Sequence, residues 1–330
     1  MGGLIDGVWL SGGRKTVNGA YLRPNTSIRT ATNAVSQAAM HTAGRVWLIA
    51  SHSCPWSHRA TITHRLKGLS GLMPVHYAHG PRQQGYSLNG QKYWRIPGTS
   101  IHIQHLHELY SYHDNHFSGS ANVPLLWDSE TGSILSNESS DIVPGFDSLL
   151  SPIVPNFTLR PPTLVQEIDK ANEMIYHGLN NAVYRAGFAQ KQSVYDEAVQ
   201  TVFNTLDFLE ERLTCQRYYF GSVITETDVR IFPTLIRFDA IYYILFKCSK
   251  RRISDYPALF QYTQDFFQLP GVGDTVNFET MRTASYLTDS DSPNPIVAVQ
   301  PDTDLEKEHF RSNLGPAEVA MHDGSVIQWR

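Results

Sequence analysis

Residues 45–69 read RVWLIASHSCPWSHRATITHRLKGL, and their order decides the fold. RVWLIAS (45–51) is a short apolar, β-branched run of the kind that forms a buried strand. SHSCP makes a turn, and residues 56–69 have the length and spacing of a helix. MPVHY (73–77) supplies a second strand. The unit is therefore strand, helix, strand, a parallel pair joined by a right-handed crossover. Cys54 stands at the helix start. A cysteine there faces unpaired backbone N–H groups and the positive end of the helix dipole, which favour a thiolate. Pro55 suits the first helical position, where no N–H is needed. His58 and Arg59, one turn on, add positive potential. The alternative is a buried, inert cysteine under a strand, which is the better reading for Cys215 and Cys248 in their apolar helical stretches.

Position 57 settles what kind of redox site this is. A dithiol enzyme needs a second cysteine there to resolve its mixed disulfide, and Ser57 cannot act so. A lone activated thiol is resolved by a thiol from solution, and glutathione is the abundant one. Further along, NVPLLW (122–127) is a strand pattern with Pro124 inside it, which either demotes the strand or marks a cis-proline turn leading into it. In thioredoxin-type folds such a proline is cis and leaves the Val123 backbone open to a peptide ligand. NESSDIV (137–143) opens a helix, so its N–H groups and the Ser139 hydroxyl suit a γ-glutamyl carboxylate, and Glu138 suits the ammonium. Alone, this is an ordinary capping sequence; beside Cys54 and Pro124 the ligand reading prevails.

Composition bounds the rest. The chain has 330 residues, enough for two domains. Hydrophobic residues make up 41% and charged residues 18%, as in globular proteins. A net charge of −4 offers no footprint for nucleic acid. Three widely spaced cysteines argue against a disulfide framework and for a reducing compartment, and exclude a four-cysteine zinc site, so a cytoplasmic location is expected. Neither a signal peptide nor an apolar run long enough to span a membrane is visible.

The expected organisation is an α/β unit followed by an all-α one. Residues 1–44 form an extension without period, 45–150 a thioredoxin-like domain, 160–295 a helical domain and 296–330 a tail. The proline-rich stretch 144–162 is the linker. Helices are expected near 103–110, over 164–180 and 194–213, from a capping box at 225–228 to about 246, and over 256–268. Five histidines in 102–116 (His102, His105, His107, His113 and His116) lack acidic support and read as solvent-facing, so no metal is expected.

The sequence resembles the glutathionyl-hydroquinone reductases, the Xi class of glutathione transferases, over roughly residues 4–300. The likeness is carried by YLRPNTSIR (21–29), SCPWSHR (53–59), RLKGL (65–69), VPLLWD (123–128), NESSDI (137–142), NNAVYRAGFA (180–189), TETDVRIFPTLIRFDAIY (225–242), FKCS (246–249) and DYPAL (255–259). It implies a thioredoxin-like domain followed by a helical glutathione-transferase domain, glutathione as co-substrate, a quinone-type second substrate and a homodimer. It further implies that Cys54 attacks the sulfur of a glutathionyl-hydroquinone and is held as a mixed disulfide until a second glutathione releases it. Tyr184 matches a family tyrosine that acts on the ring, and Tyr242 and Tyr286 join it as second-substrate residues. Tyr86, Val123, Pro124, Glu138 and Ser139 become the glutathione site. The chain departs from the family pattern at Tyr86, where Trp is usual, at Ser120, where Arg is usual, and at Ala284-Ser285-Tyr286, where His-Tyr-Tyr is usual. Those departures keep two other readings open: a diverged transferase or reductase acting on a polycyclic quinone or phenol, and a non-catalytic binding protein on the same fold.

Overall fold

The computed structural model describes the chain except residues 1, 13–15, 24–27, 30–37, 39–41, 81, 83, 91, 150, 153, 155, 290–295 and 330. Part of the 21–29 motif thus lies outside the described residues. Two compact units form: Met1–Lys15 with Leu22–Leu149 and Thr275–Val297, and Thr16–Tyr21 with Leu150–Asp274 and Ala298–Arg330.

The N-terminal stretch, read as an extension without period, begins with two hairpins. In the first unit β1 (Gly3–Ile5) pairs with β2 (Val8–Leu10); in the second β3 (Thr16–Val17) pairs with β4 (Ala20–Tyr21). Their two-residue turns are Asp6-Gly7 and Asn18-Gly19, all four residues at positive φ. This is the turn whose twist matches antiparallel strands, and Asp-Gly and Asn-Gly adopt it most readily.

The first unit is built on a mixed sheet. Strand β5 (Val46–Ala50) lies parallel to β6 (Val75–Tyr77) across helix α1 (Pro55–Leu66), as the motif requires. After β7 (Trp94–Arg95), β8 (His102–Ile103) and helix α2 (Leu106–His113) come β9 (Leu125–Asp128), β10 (Ser133–Ser136) and helix α3 (Ser139–Asp147). The sheet order is β10-β9-β5-β6, with β9 antiparallel to β5. Alternation along β5 feeds two cores. Val46, Leu48 and Ala50 pack with Ala60 of α1 and Ile142 and Phe146 of α3. Ile49 packs with Leu106, Leu109 and Tyr110 of α2.

Helix α2 starts three residues later than expected, and its histidines are not all at the surface. His107 stacks on Trp9 of β2 at 4.6 Å, and His113 Nδ1 accepts the Ile134 N–H at 3.2 Å. Nor does the linker begin at Pro144, which lies inside α3. At the far ends of α1 and α3 the buried Lys67 ammonium donates to the Asp147 carbonyl at 2.7 Å, placing a cation where both helices end.

The second unit holds β11 (Phe157–Thr158), α4 (Val165–Ile175), α5 (Ala182–Gly187), α6 (Gln192–Cys215), α7 (Glu226–Arg237) and α8 (Pro257–Phe267). The capping box forms: the Asp228 carboxylate accepts from Thr225 N–H at 2.9 Å and from Tyr262 Oη at 3.0 Å. Helix α7 gives way to a π-turn at Phe238–Tyr242 rather than running to 246. Two departures concern the C-terminal part. Helix α9 (Phe278–Asp289), expected in the helical domain, counts with the first unit. The supposed tail forms β12 (Glu318–Met321) and β13 (Val326–Gln328), a hairpin that adds to β11. Among the described residues no helix is long and apolar enough to cross a membrane.

One latch in the first unit yields a test. Arg45, just before β5, donates from Nε and Nη2 to the two carboxylate oxygens of Asp128 at the end of β9, at 2.9 and 2.7 Å. Burial alone raises the Asp128 carboxyl, but the Arg45 guanidinium and the Glu130 and Thr131 N–H groups outweigh it and hold the group below the ordinary carboxylate range. A carboxyl whose pKa is lower folded than unfolded stabilises the protein above that range, and the gain is lost as pH falls through the folded pKa. Asp128→Asn is expected to lose about 1–3 kcal/mol near neutral pH. It should also show a flatter melting temperature between about pH 3 and 5. Parallel pH profiles for the two proteins would contradict this account.

Candidate active site

The turn after β5 brings Cys54 to the start of α1. Its N–H donates to Ser51 O at 3.0 Å, and its backbone is extended, as an N-cap requires. Cys54 Sγ accepts the Ser57 N–H at 3.4 Å and donates to Val123 O at 3.3 Å. Because β5 and β9 run antiparallel with Ile49 opposite Leu125, the segment leaving β5 and the segment entering β9 meet at one end of the sheet. The Val123-Pro124 bond there is cis. Cys54 is 8% exposed. Cys248, by contrast, is wholly buried in the second unit, and burial pushes its thiol up to about 12. The Ser57 hydroxyl is also buried and has no hydrogen-bond partner among the described residues.

The helix that NESSDIV opens, α3, has Glu138 as its N-cap and begins at Ser139. Glu138 Oε1 accepts Ser140 N–H at 2.9 Å and Ser139 Oγ at 3.3 Å. The carboxylate expected to meet an ammonium therefore also holds the helix start. Behind it lies a network that local sequence does not reveal. Tyr110 Oη donates to Asn122 O at 2.7 Å and accepts from Asn137 Nδ2 at 3.1 Å and Asn122 N–H at 3.2 Å. One buried phenol thus joins the residue before Val123 to the residue before Glu138, two segments that pattern reading treats separately.

Tyr86 packs in the same core as Cys54 and Val123, and its hydroxyl accepts from Arg82 Nη1 at 3.2 Å. Arg82 N–H donates to Thr288 Oγ1 at 3.1 Å, and His58 Nε2 lies 2.8 Å from Thr275 Oγ1. Added to the close approach of Gly80 and Ala284, these contacts explain why α9 belongs with the first unit. Helix α9 carries Tyr286, 6% exposed, whose phenol is pushed up by burial. Trp56, two residues after Cys54, has the Arg23 and Arg59 guanidiniums 4.1 and 4.4 Å from its ring.

In the second unit Tyr184 of α5 and Tyr242 of the π-turn bring their hydroxyls to 3.4 Å. The structure therefore gathers Cys54, Tyr86, Val123, Pro124, Glu138, Ser139 and Tyr286 in the first unit and pairs Tyr184 with Tyr242 in the second. Among the described residues no group of three His, Cys, Asp or Glu side chains has a geometry that holds a metal ion. What the first unit can do chemically is present one thiol against the carbonyl that precedes the cis-proline, and it also holds a helix start of the kind that suits a carboxylate.

The Tyr110 network gives a second test. Tyr110→Phe removes three hydrogen bonds, leaving the Asn122 carbonyl and N–H and the buried Asn137 amide without this partner, and is expected to lower stability by about 1–3 kcal/mol. Amide exchange at Val123 should quicken at the same time. Unchanged exchange there would show that the phenol does not hold the loop.

Comparison with known proteins agrees with this architecture. Residues 192–265 match the family model for the glutathione S-transferase C-terminal domain. Glutathionyl-hydroquinone reductase YqjG of Escherichia coli is 36% identical over 323 residues, covering 94% of this chain and 98% of the relative. Glutathionyl-hydroquinone reductase PcpF of Sphingobium chlorophenolicum is 36% identical, covering 91% and 96%. Among solved structures, a Xi class glutathione transferase from Natrialba magadii superposes with a TM-score of 0.83 at 32% identity, covering 95% of this chain and 97% of that one. Glutathione-bound YqjG from Escherichia coli gives a TM-score of 0.76 at 38% identity, covering 82% and 89%. A thiol at the start of α1, a thioredoxin-like sheet, a helical second unit and kinship at this level over nearly the whole chain lead to one assignment: the chain belongs to the glutathionyl-hydroquinone reductases, the Xi class of glutathione transferases.

Proposed function

We propose that this glutathione-dependent enzyme reductively removes glutathione from glutathionyl-hydroquinones through a mixed disulfide between Cys54 and glutathione. The observation that carries the reading is Cys54 Sγ at the N-cap of α1, 3.3 Å from the Val123 carbonyl, with Ser57 where a resolving thiol would stand. Two relatives 36% identical bear the name of this activity.

In the proposed reaction the Cys54 thiolate attacks the thioether sulfur of the conjugate. An S–S bond forms, the bond between sulfur and ring carbon breaks, and the ring carbon keeps the electron pair and takes up a proton. The free hydroquinone departs. A second glutathione thiolate then attacks the mixed disulfide, releasing oxidised glutathione and restoring Cys54. Overall the conjugate's own sulfur and the thiol of the second glutathione each give up one electron as they join in the disulfide, and these two electrons convert the C–S bond to C–H, so no other reductant is needed. The ring carbon is a fair leaving group only when the hydroquinone oxygen exchanges a proton, and the Tyr184–Tyr242 hydroxyl pair takes that role. The glutathione backbone pairs with Val123, held open by Pro124. Ser139 and the α3 N–H groups receive the γ-glutamyl carboxylate, Glu138 the ammonium, and Tyr86 covers the peptide. Tyr286 completes the second-substrate residues.

The domain roles follow: residues 45–150 bind glutathione and the helical 160–295 segment serves the second substrate, with α9 contributing from the first unit. In the same reading the enzyme is a cytoplasmic homodimer. Three unpaired cysteines suit that compartment.

Cys54→Ala is expected to reduce glutathione-dependent turnover of a glutathionyl-hydroquinone to the uncatalysed rate while leaving the melting temperature close to that of the parent. Steady-state assays with a thermal melt decide it. Undiminished turnover in the variant would sink the mechanism.

A further inference from the structure

The hairpin Thr16–Tyr21 counts with the helical unit, and its seat there is firm. Gln190 N–H donates to Gly19 O at 2.9 Å, and Thr16 Oγ1 donates to Gln190 Oε1 at 3.0 Å. Gly19, at φ +87, lies so close to Lys191 that a Cβ would stand 2.7 Å from its Cγ. Glycine is required there both by conformation and by space. This fastening sets the ring of Tyr21 edge-on against Phe188, at 5.1 Å and 75°. Phe188 in turn meets Tyr184 at 5.8 Å and Phe246 at 4.9 Å, and Tyr184 meets Tyr242 at 5.9 Å. These contacts make one continuous aromatic wall within the second unit. Phe188, Tyr242 and Phe246 are buried at 7%, 2% and 1% exposure, whereas Tyr21 and Tyr184 both keep part of their surface open.

We propose that Tyr21 is a specificity-determining residue, which with Tyr184 presents the accessible part of an aromatic wall and favours a fused-ring hydroquinone conjugate over a single-ring one. The assignment rests on the reaction proposed above. A single ring whose oxygen engages the Tyr184 hydroxyl finds its aromatic contact at Tyr184. A second fused ring extends along the wall and gains the ring of Tyr21, through the offset or edge-to-face geometry that aromatic pairs prefer. The chemistry recognised is a flat, apolar, fused aromatic system with a hydroquinone oxygen at one end. No charge on the substrate is called for. A tyrosine that only staples the hairpin to Phe188 would act on every substrate alike, and this separates the two roles.

The experiment compares kcat/KM for glutathionyl-naphthohydroquinone and glutathionyl-benzohydroquinone in the full-length parent, Tyr21→Ala, Tyr21→Leu and Tyr21→Phe. Tyr21→Leu retains bulk at the hairpin seat, so it reports on the aromatic face even if the alanine variant folds poorly. The parent should prefer the naphthohydroquinone conjugate. Loss of the ring should lower the ratio of the two kcat/KM values by about three- to tenfold, the scale of one aromatic contact. Tyr21→Phe should retain the parental ratio. An equal fall for both conjugates in the leucine variant, or an unchanged ratio, would overturn the assignment while leaving the reaction in place. A parent inert toward both conjugates would overturn the reaction itself and the assignment with it.

Discussion

The antiparallel pairing of β5 with β9 is the constraint on which the site depends. With Ile49 opposite Leu125, the chain must leave β5 and enter β9 at the same end of the sheet. The thiol at position 54 and the carbonyl at position 123 are then brought to 3.3 Å although 69 residues separate them. A one-residue slip in that register would turn every side chain of β5 to the other face and carry Val123 away from the sulfur. The register is held by burial on both faces of β5 and by the Arg45–Asp128 ion pair at the opposite end of the strands. Chemistry at one end of the sheet is thereby tied to a salt bridge at the other.

A second level of order comes from side chains that join segments. Tyr110 ties the approach to the cis-proline to the approach to α3 through one buried phenol. Arg82 ties α9 to the loop before Tyr86, and His58 ties Thr275, which precedes α9, to α1. Around Cys54 little polar surface is left exposed: Ser57, His58 and Arg59 are all buried. The thiol in this setting meets the Ser57 N–H, fixed at the helix start before any ligand arrives, and a preorganised donor of this kind need not rearrange during reaction.

Much of this was legible in the chain because its signals are local. Strand, cysteine, proline and helix follow one another within 25 residues, and the crossover rule leaves one arrangement for them. Pro124 and the NESSDI run are local signals as well. What pattern reading missed is non-local. The partners of Tyr110 lie 12 and 27 residues away, and no periodicity announces them. Helix α9 reads like any helix of the second half, and only contacts such as Ala284 on Gly80 assign it to the first unit. His107 looked solvent-facing because its stacking partner, Trp9, lies almost a hundred residues earlier. The terminal hairpins are a different case. Asp6-Gly7, Asn18-Gly19 and Asp323-Gly324 were all visible as turn signals, each with glycine at positive φ. Their signal lies in the dipeptide of the turn and not in any long period.

The central claim is that one thiol, Cys54, carries glutathione through the reaction. Its most direct test is a single turnover without free glutathione: enzyme mixed with one equivalent of glutathionyl-hydroquinone, quenched in acid and mapped by peptide mass spectrometry. The account predicts one glutathione adduct, on the peptide containing Cys54, formed in step with an equal amount of released hydroquinone. Hydroquinone released with no adduct, or with the adduct on Cys215 or Cys248 alone, would contradict it.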